Sequence, residues 1–420
     1  MGQRANVVVV GGGPVGVCCA HALAVTGADV ILLERELALC PPASAAHANC
    51  GLVLPSHCTP LAAPGVLAQG LRWLLDSGSP FYVAPRPSAE LARWLWLFRA
   101  ACTADRARAS MPVLRALNVA GATLHESLAR EGGEQRWLYR RHGLVQLHAT
   151  AVGGEVAASE LHELSELGVR ATELSFADVR ERYPAVRCAV THAVSYDEAA
   201  HLDPCRFTAA VGELAAIAGA RVVTDAEVLA LESAGSGAVR VITTRGEFSA
   251  DQVVLAAGAW TPTLTHRLGM ALPVAPAKGY SVDLIRPPTF PDVPLYLGEA
   301  HLVMTPLGGT LRLGGTLELS GWDMRVRRKR VDGLRMGAAR ALGVGLEEPE
   351  QRLWRGPRPV TPDGLPVIGR VPRHERVILA TGHCMLGLML APVTGKLVAE
   401  LAGGAPSSMD LAPFAPARFQ

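Results

Sequence analysis

Lysine is almost missing from this chain of 420 residues. Of 40 basic residues only Lys278, Lys329 and Lys396 are lysines, a bias that reads as codon usage before it reads as chemistry. Charge of one sign is missing too: 38 acidic residues leave a formal net charge of +2, so no global field draws nucleic acid or acidic partners. The nine cysteines (Cys18, Cys19, Cys40, Cys50, Cys58, Cys102, Cys188, Cys205 and Cys384) are odd in number and never spaced C-x-x-C. That spacing argues against a zinc site and against a disulfide framework, and leaves reduced, packed thiols in a cytosolic protein as the expectation. No apolar run reaches the length of a membrane span. The N-terminus enters an apolar strand within five residues, without the charged, apolar and cleavage regions of a signal peptide. The expected location is therefore cytoplasmic, with peripheral contact at the membrane left open. What is abundant is apolar: 49% hydrophobic against 19% charged residues, enough for a large core in two or three domains.

The β-branched run Asn6 to Val10 leads into Gly11-Gly12-Gly13-Pro14-Val15-Gly16, then a helical stretch to Gly27, where a helix C-cap belongs. A second apolar run from Asp29 to Leu33 ends in Glu34. Residues 41–60 lack periodicity and read as loop. Helices are expected at Leu71 to Leu75, Leu91 to Phe98, Met111 to Glu131, Gly154 to Leu167 and Pro204 to Ala218. Strands are expected at Arg221 to Thr224, Val228 to Glu232, Arg240 to Thr244, and at Val253 to the turn at Gly258. Short strands dominate from Val274 to Gly315, followed by a basic run, Arg325 to Arg330, and a helix through Leu342. A last strand, Val377 to Ala380, precedes a helix from about Leu386 to Leu401, and the final fifteen residues read as a loosely held tail. Strands ending in glycine or charge recur near 10, 33, 257 and 380. If they share one parallel sheet, the domain they build is discontinuous, with a second domain inserted in two pieces.

Gly11-x-Gly13-x-x-Gly16 has the dinucleotide-binding spacing in the right context: strand before, helix after, and an acidic residue closing the next strand. Gly11 permits the turn, Gly13 lets a pyrophosphate approach the backbone, and Gly16 allows helix to pack on strand. Pro14 suits the first helical turn, and the helix N-terminus offers free N–H groups to phosphate. Glu34 can accept ribose hydroxyls and would repel a 2′-phosphate, which disfavours NADP. This motif alone does not separate NAD from FAD.

Later segments do. Ala48-Asn49-Cys50-Gly51, Pro60-Leu61-Ala62-Ala63-Pro64-Gly65, Pro273-x-x-Pro276-x-Lys278-Gly279-Tyr280-Ser281 and Arg312-Leu313-Gly314-Gly315-Thr316 occur in this order. Gly356-Pro357-Arg358-Pro359-x-Thr361-Pro362-Asp363-Gly364-x-Pro366-x-Ile368-Gly369 and Gly382-His383-x-x-x-Gly387 complete the set. Together they resemble the D-amino-acid oxidase superfamily, most closely its bacterial D-amino acid dehydrogenases, across nearly the whole chain. The chain departs from that pattern at Ala45-Ala46, where Thr-Ser is usual, and at Cys50, Cys384 and Met385.

The resemblance implies an α/β fold: a Rossmann-like FAD-binding domain from 1–70, 195–268 and 352–415. An α+β substrate domain on an antiparallel-rich sheet would comprise 71–194 and 269–351. It implies non-covalent FAD held by Gly11, Gly13, Pro14, Val15, Gly16, Glu34 and Arg35. Asn49, Cys50, Gly51, Val228, Gly258, Gly382, His383 and Gly387 complete that expected set. It further implies oxidative deamination of an amino acid, with the D series favoured: hydride leaves Cα for flavin N5, and the imino acid hydrolyses to a 2-oxo acid and ammonia. Oxygen or a quinone would reoxidise the flavin.

Catalytic assignments follow the same resemblance. Arg358, whose planar fork matches a carboxylate, is the expected substrate anchor, weighed against a structural staple. Tyr280 is a second candidate, equally readable as core. His383 is the third, either touching ring or substrate or serving as a polar turn residue. Cys384 raises covalent flavin attachment, but a packed thiol is favoured. The histidines are scattered, so no metal is expected. The basic run reads as a solvated surface segment, and no nucleic-acid partner is expected. Competing readings are oxidation of a secondary amino acid or glycine, a modified amino acid in biosynthesis, a flavin enzyme on RNA, and an NAD-dependent dehydrogenase. The last explains none of the motifs from Pro273 onward.

Overall fold

A computed structural model describes residues 3–66, 81–233, 237–343 and 350–420. The first strand, Gln3–Val10, pairs in parallel with Val30–Leu33 on one side and Gly246–Leu255 on the other. Arg221–Val223 extends this parallel sheet at one edge and His374–Thr381 at the other. The antiparallel strands Val228–Ser233, Val239–Thr243 and Val367–Val371 complete it. Its central strands read as unbroken apolar runs because both faces are covered. Val7 and Val9 pack into a core with helices Pro14–Val25, Pro204–Ile217 and Ala391–Gly403, while Val8 and Val10 pack into another with Val241 and Phe248. Helices Pro14–Val25 and Ala391–Gly403 approach closely at Gly395, where an added Cβ would lie 2.5 Å from the Cys18 carbonyl oxygen.

A second sheet of ten strands is mostly antiparallel. Its long strand Ala275–Ile285 pairs over nine positions with Arg352–Val360. Helix Arg328–Leu342 covers one face, contributing Val331, Leu334 and Ala338 to a core with Val282, Leu311 and Leu313. A ladder binds Arg352–Val360 to this second sheet, so the expected last cofactor segment, from 352, opens with a strand of the other sheet. Likewise His192–Tyr196 pairs here with Leu144–His148, across the expected boundary at 195.

Most elements lie where periodicity puts them. The helix expected from Leu71 lies outside the described residues. The helix expected from Leu386 begins instead at Ala391, after a turn in which Leu390 N–H donates to the Leu386 carbonyl. The C-terminal tail is docked: Phe414 is fully buried and Arg418 Nε sits 2.8 Å from Asp363. Low periodicity over those residues misled because side-chain anchoring leaves no periodic trace. The basic run is likewise not a solvated segment throughout. Arg330 is 1% exposed, and Arg327 and Lys278 converge with it on buried Glu318.

Candidate active site

The ends of Gln3–Val10 and Val30–Leu33 open into a cleft of about 1340 Å3, including its mouth. Gly11 makes the first turn with a φ of 106°, its N–H donating to the Leu33 carbonyl at 2.8 Å. No β-carbon fits there, since it would meet the Ala256 carbonyl oxygen at 2.7 Å. Gly13 differs. Its φ is −74°, which any residue adopts, and an added Cβ would meet nothing within 4 Å. The open space belongs to the cleft. Helix Pro14–Val25 begins there with no side chain capping its N–H groups, so an anion can satisfy them.

Glu34 is buried at the end of its strand. Its carboxylate accepts from Gly12 N at 2.6 Å and from Glu36 N at 2.9 Å, which fixes it at the cleft wall. Arg35 stacks on the Trp260 ring, 4.6 Å from its centroid, and both line the cleft with Val228. Gly258, with a φ of 54°, lines it at the turn after Gly246–Leu255. Asn49, Pro14, Val15, His383 and Gly387 also face it.

Four expected cofactor residues support the walls from behind. A Cβ on Gly16 would lie 1.8 Å from the Gly11 carbonyl oxygen, and one on Gly51 1.9 Å from that of Leu202. Gly382 turns with a φ of 71° against Thr361. Cys50 sits under Gly314, and its carbonyl accepts from Thr305. Burial pushes the Cys50 thiol up to about 11, against the pull of Arg358 and Arg312.

Arg358 lines the cleft. Its Nη1 donates to the Thr316 carbonyl at 2.9 Å, and among the described residues no carboxylate lies in salt-bridge range. Burial pulls its pKa below the usual arginine range, so the cation is poorly compensated. The guanidinium lies over Gly279, where a Cβ would be 1.6 Å from Nη1.

Tyr280 does not meet the cleft. Ala277 pairs with Arg358 and Gly279 with Gly356, so Ala277 and Gly279 share the face of Arg358. Lys278 and Tyr280 take the opposite face, because side chains alternate along a strand. Tyr280 is 0% exposed, and its hydroxyl bonds Glu318 at 3.2 Å and the Arg325 carbonyl at 3.3 Å. The expected substrate contact is corrected to a core role.

His383 bonds Thr394 Oγ1 through Nε2 at 2.9 Å, and burial lowers its pKa to about 3. It is neutral at working pH. Cys384 has a φ of 51° and turns its thiol toward Thr361 Oγ1 and the Gly382 carbonyl. Burial raises that thiol to about 11, leaving little thiolate for attachment to a flavin. Ala45 and Ala46, singled out in the sequence as a departure from the family pattern, line the cleft, whereas sequence reasoning missed Ala43, Ser44, Trp260, Pro357 and Pro359 there. The strand-turn Ala256-Ala257-Gly258 was a usable signal for its two alanines, which also line the cleft.

The fit to FAD is good on these observations: an open cradle at Gly13, an uncapped helix end, a ribose-competent carboxylate and an apolar path between the two sheets. Residues 6–401 match the model of the family described as FAD dependent oxidoreductase. The chain is 30% identical over 426 residues to a D-amino acid dehydrogenase of Granulibacter bethesdensis, covering 99% of each. It is 33% identical over 407 residues to one of Methylobacterium radiotolerans, covering 95% of this chain and 96% of that one. Among solved structures, glycine oxidase from Geobacillus kaustophilus superposes with a TM-score of 0.79 at 25% identity over 98% of each chain. No helix among the described residues is long and apolar enough to cross a membrane. With the family model spanning nearly its whole length, the chain belongs to the FAD dependent oxidoreductase family and is an FAD-using oxidoreductase.

Proposed function

We propose that the chain oxidises the Cα–N bond of a free D-amino acid, with Arg358 gripping the substrate carboxylate. The observation that carries this reading is a desolvated guanidinium facing the cleft with no carboxylate partner among the described residues. A cation held that way favours an anionic ligand, and its fork takes a carboxylate through two parallel N–H···O bonds. The bound flavin supplies a two-electron acceptor for hydride. The chain's own residues do the rest. Gly11, Gly13, Pro14 and Val15 hold the diphosphate end, and Glu34 and Arg35 the adenosine end. Thr316 fixes the orientation of Arg358 and so the placement of Cα. His383, neutral and tied to Thr394, shapes the wall without exchanging protons. The imino acid then hydrolyses to a 2-oxo acid and ammonia.

The parallel sheet is read as the cofactor unit and the antiparallel sheet as the substrate cover. The same reading puts the protein in the cytoplasm, in peripheral contact with the membrane at most, passing electrons to oxygen or a quinone. A second reading, glycine or a secondary amino acid as substrate, is supported by the likeness to glycine oxidase. A panel of D-, L- and N-substituted amino acids, assayed with oxygen and with a quinone-like dye, tests both. Turnover of D-amino acids with the dye is expected. Turnover confined to glycine or N-substituted acids favours the second reading, and turnover only of amines without a carboxylate refutes both.

A further inference from the structure

Three groups that the proposed chemistry does not use lie together beside the cleft. The sulfurs of Cys40 and Cys205 and a ring nitrogen of His47 are all within 4.8 Å of one another. Chain folding brings them there, since the two cysteines are 165 positions apart. Cys40 is 2% exposed and held in a left-handed turn with a φ of 53°. Cys205 is partly exposed, in the first turn of helix Pro204–Ile217. His47 Nδ1 lies 2.7 Å from the Cys40 carbonyl oxygen and 3.8 Å from Cys205 Sγ. A carbonyl only accepts, so Nδ1 carries the proton and presents an N–H to the Cys205 sulfur as well.

This arrangement suits a thiolate. An imidazole N–H, a neighbouring thiol and a helix N-terminus favour negative charge on Cys205 sulfur, against the Cys40 carbonyl oxygen 3.5 Å away. The hydrogen bond with Cys40, then those with His47, hold the Cys205 thiol well below its ordinary range, against burial and Asp203. Cys40 is pushed up by that same bond, with Thr208 opposing, and remains the thiol. Arg352 faces the other side of His47, 3.4 Å from Nε2. A metal fits poorly: the nitrogen aimed into the trio is the protonated one. The nearby Asp203 carboxylate is already occupied by Cys205 N–H at 3.0 Å and Arg206 N–H at 2.9 Å.

We propose that Cys205 is a peroxide-reactive thiolate and Cys40 its resolving thiol. The Cys205 thiolate attacks one oxygen of hydrogen peroxide, the O–O bond breaks, and hydroxide leaves to be protonated to water. The resulting sulfenic acid is attacked by Cys40 sulfur, which loses its proton as the S–O bond breaks and a second water departs. Two thiols have lost two electrons and peroxide has gained them. The disulfide ties helix Pro204–Ile217 to the segment after Cys40, whose Pro41, Ala43, Ser44 and Asn49 line the cofactor cleft.

The test uses the full FAD-loaded protein and a small molar excess of hydrogen peroxide, followed by non-reducing peptide mapping. Expected is one linked peptide pair containing Cys40 and Cys205, lost on dithiothreitol treatment. At pH 6, iodoacetamide should label Cys205 roughly tenfold or more faster than the partly exposed Cys102 and Cys188, as a depressed thiol pKa dictates. In C40S, dimedone should trap sulfenic acid on Cys205. Absence of the linked pair, or labelling of Cys205 as slow as that of Cys102, overturns the proposal. So does stoichiometric zinc binding that shields both thiols, which would make the trio a metal site. The wild-type map decides the matter even if a variant misfolds.

Discussion

Replacing Arg358 by alanine is the perturbation with the most distinctive expected outcome. The guanidinium spends one of its five N–H donors on Thr316, leaving its fork for a ligand. Losing one side of a buried ion pair costs about 2–5 kcal/mol. That is a fall of roughly thirty- to several-thousand-fold in kcat/KM. Arg358→Lys should recover only part of it, because an ammonium cannot make two parallel bonds. The substrate-free protein should behave oppositely. A poorly compensated cation is disfavoured in the folded state, so Arg358→Met, which keeps most of the volume over Gly279, should melt no lower than wild type. The assay is steady-state turnover of the preferred D-amino acid and of the matching amine without its carboxylate, with flavin content and Tm measured alongside. Equal losses on both substrates, loss of FAD, or a Tm several degrees lower would refute the anchor and make Arg358 a structural staple.

Gly13→Val should fold with a Tm near that of the FAD-stripped parent yet bind no FAD, because its side chain enters the open cradle; Gly16→Val should misfold, because its Cβ would lie 1.8 Å from Gly11 oxygen. A yellow Gly13→Val protein would contradict the cradle. Cys384→Ser should release FAD on denaturation as the parent does, and flavin fluorescence that survives a denaturing gel only in the parent would overturn the packed-thiol reading. His125 and His201 are lowered to about 4 and His383 to about 3, all by burial. Below about pH 6.5 the unfolded chain protonates these side chains while the native state does not, so stability falls as pH drops towards 4. At pH 5 each costs about 2 kcal/mol, from 1.5 pH units at about 1.36 kcal/mol each. Denaturant melts at pH 5 and pH 7 check this, and equal stabilities would refute it.

Local rules made the cofactor half of the chain legible. Gln3–Val10, the glycine turn, helix Pro14–Val25 and Glu34 depend on contacts within about thirty-five residues, where periodicity and turn chemistry decide the outcome. The start of helix Ala391–Gly403 was misjudged because Leu386 to Leu390 are apolar enough to continue the period, yet they turn around His383 instead. The trio of Cys40, His47 and Cys205 had no linear signature, since its members meet only when helix Pro204–Ile217 docks against the loop after Val30–Leu33. Roles carried over by resemblance name a residue without saying which way it points. Gly16, Gly51 and Gly382 are needed for close packing and not for lining the cleft.

Tyr280 shows what strand parity adds. The motif Lys278-Gly279-Tyr280 places two large polar side chains around a glycine, and alternation puts both on one face and the gap on the other. Pairing with Arg352–Val360 settles which is which: the gap holds the Arg358 guanidinium, and the large residues join Glu318, Arg327 and Arg330. That cluster sets three cations against one carboxylate, leaving a positive excess behind the strand that carries Gly279. Thr316 joins the two sides. Its hydroxyl accepts from Tyr280 N at 3.1 Å, and its carbonyl accepts from Arg358 at 2.9 Å. Tyr280 therefore bears on the cleft through its backbone, whose N–H holds the residue that aims Arg358.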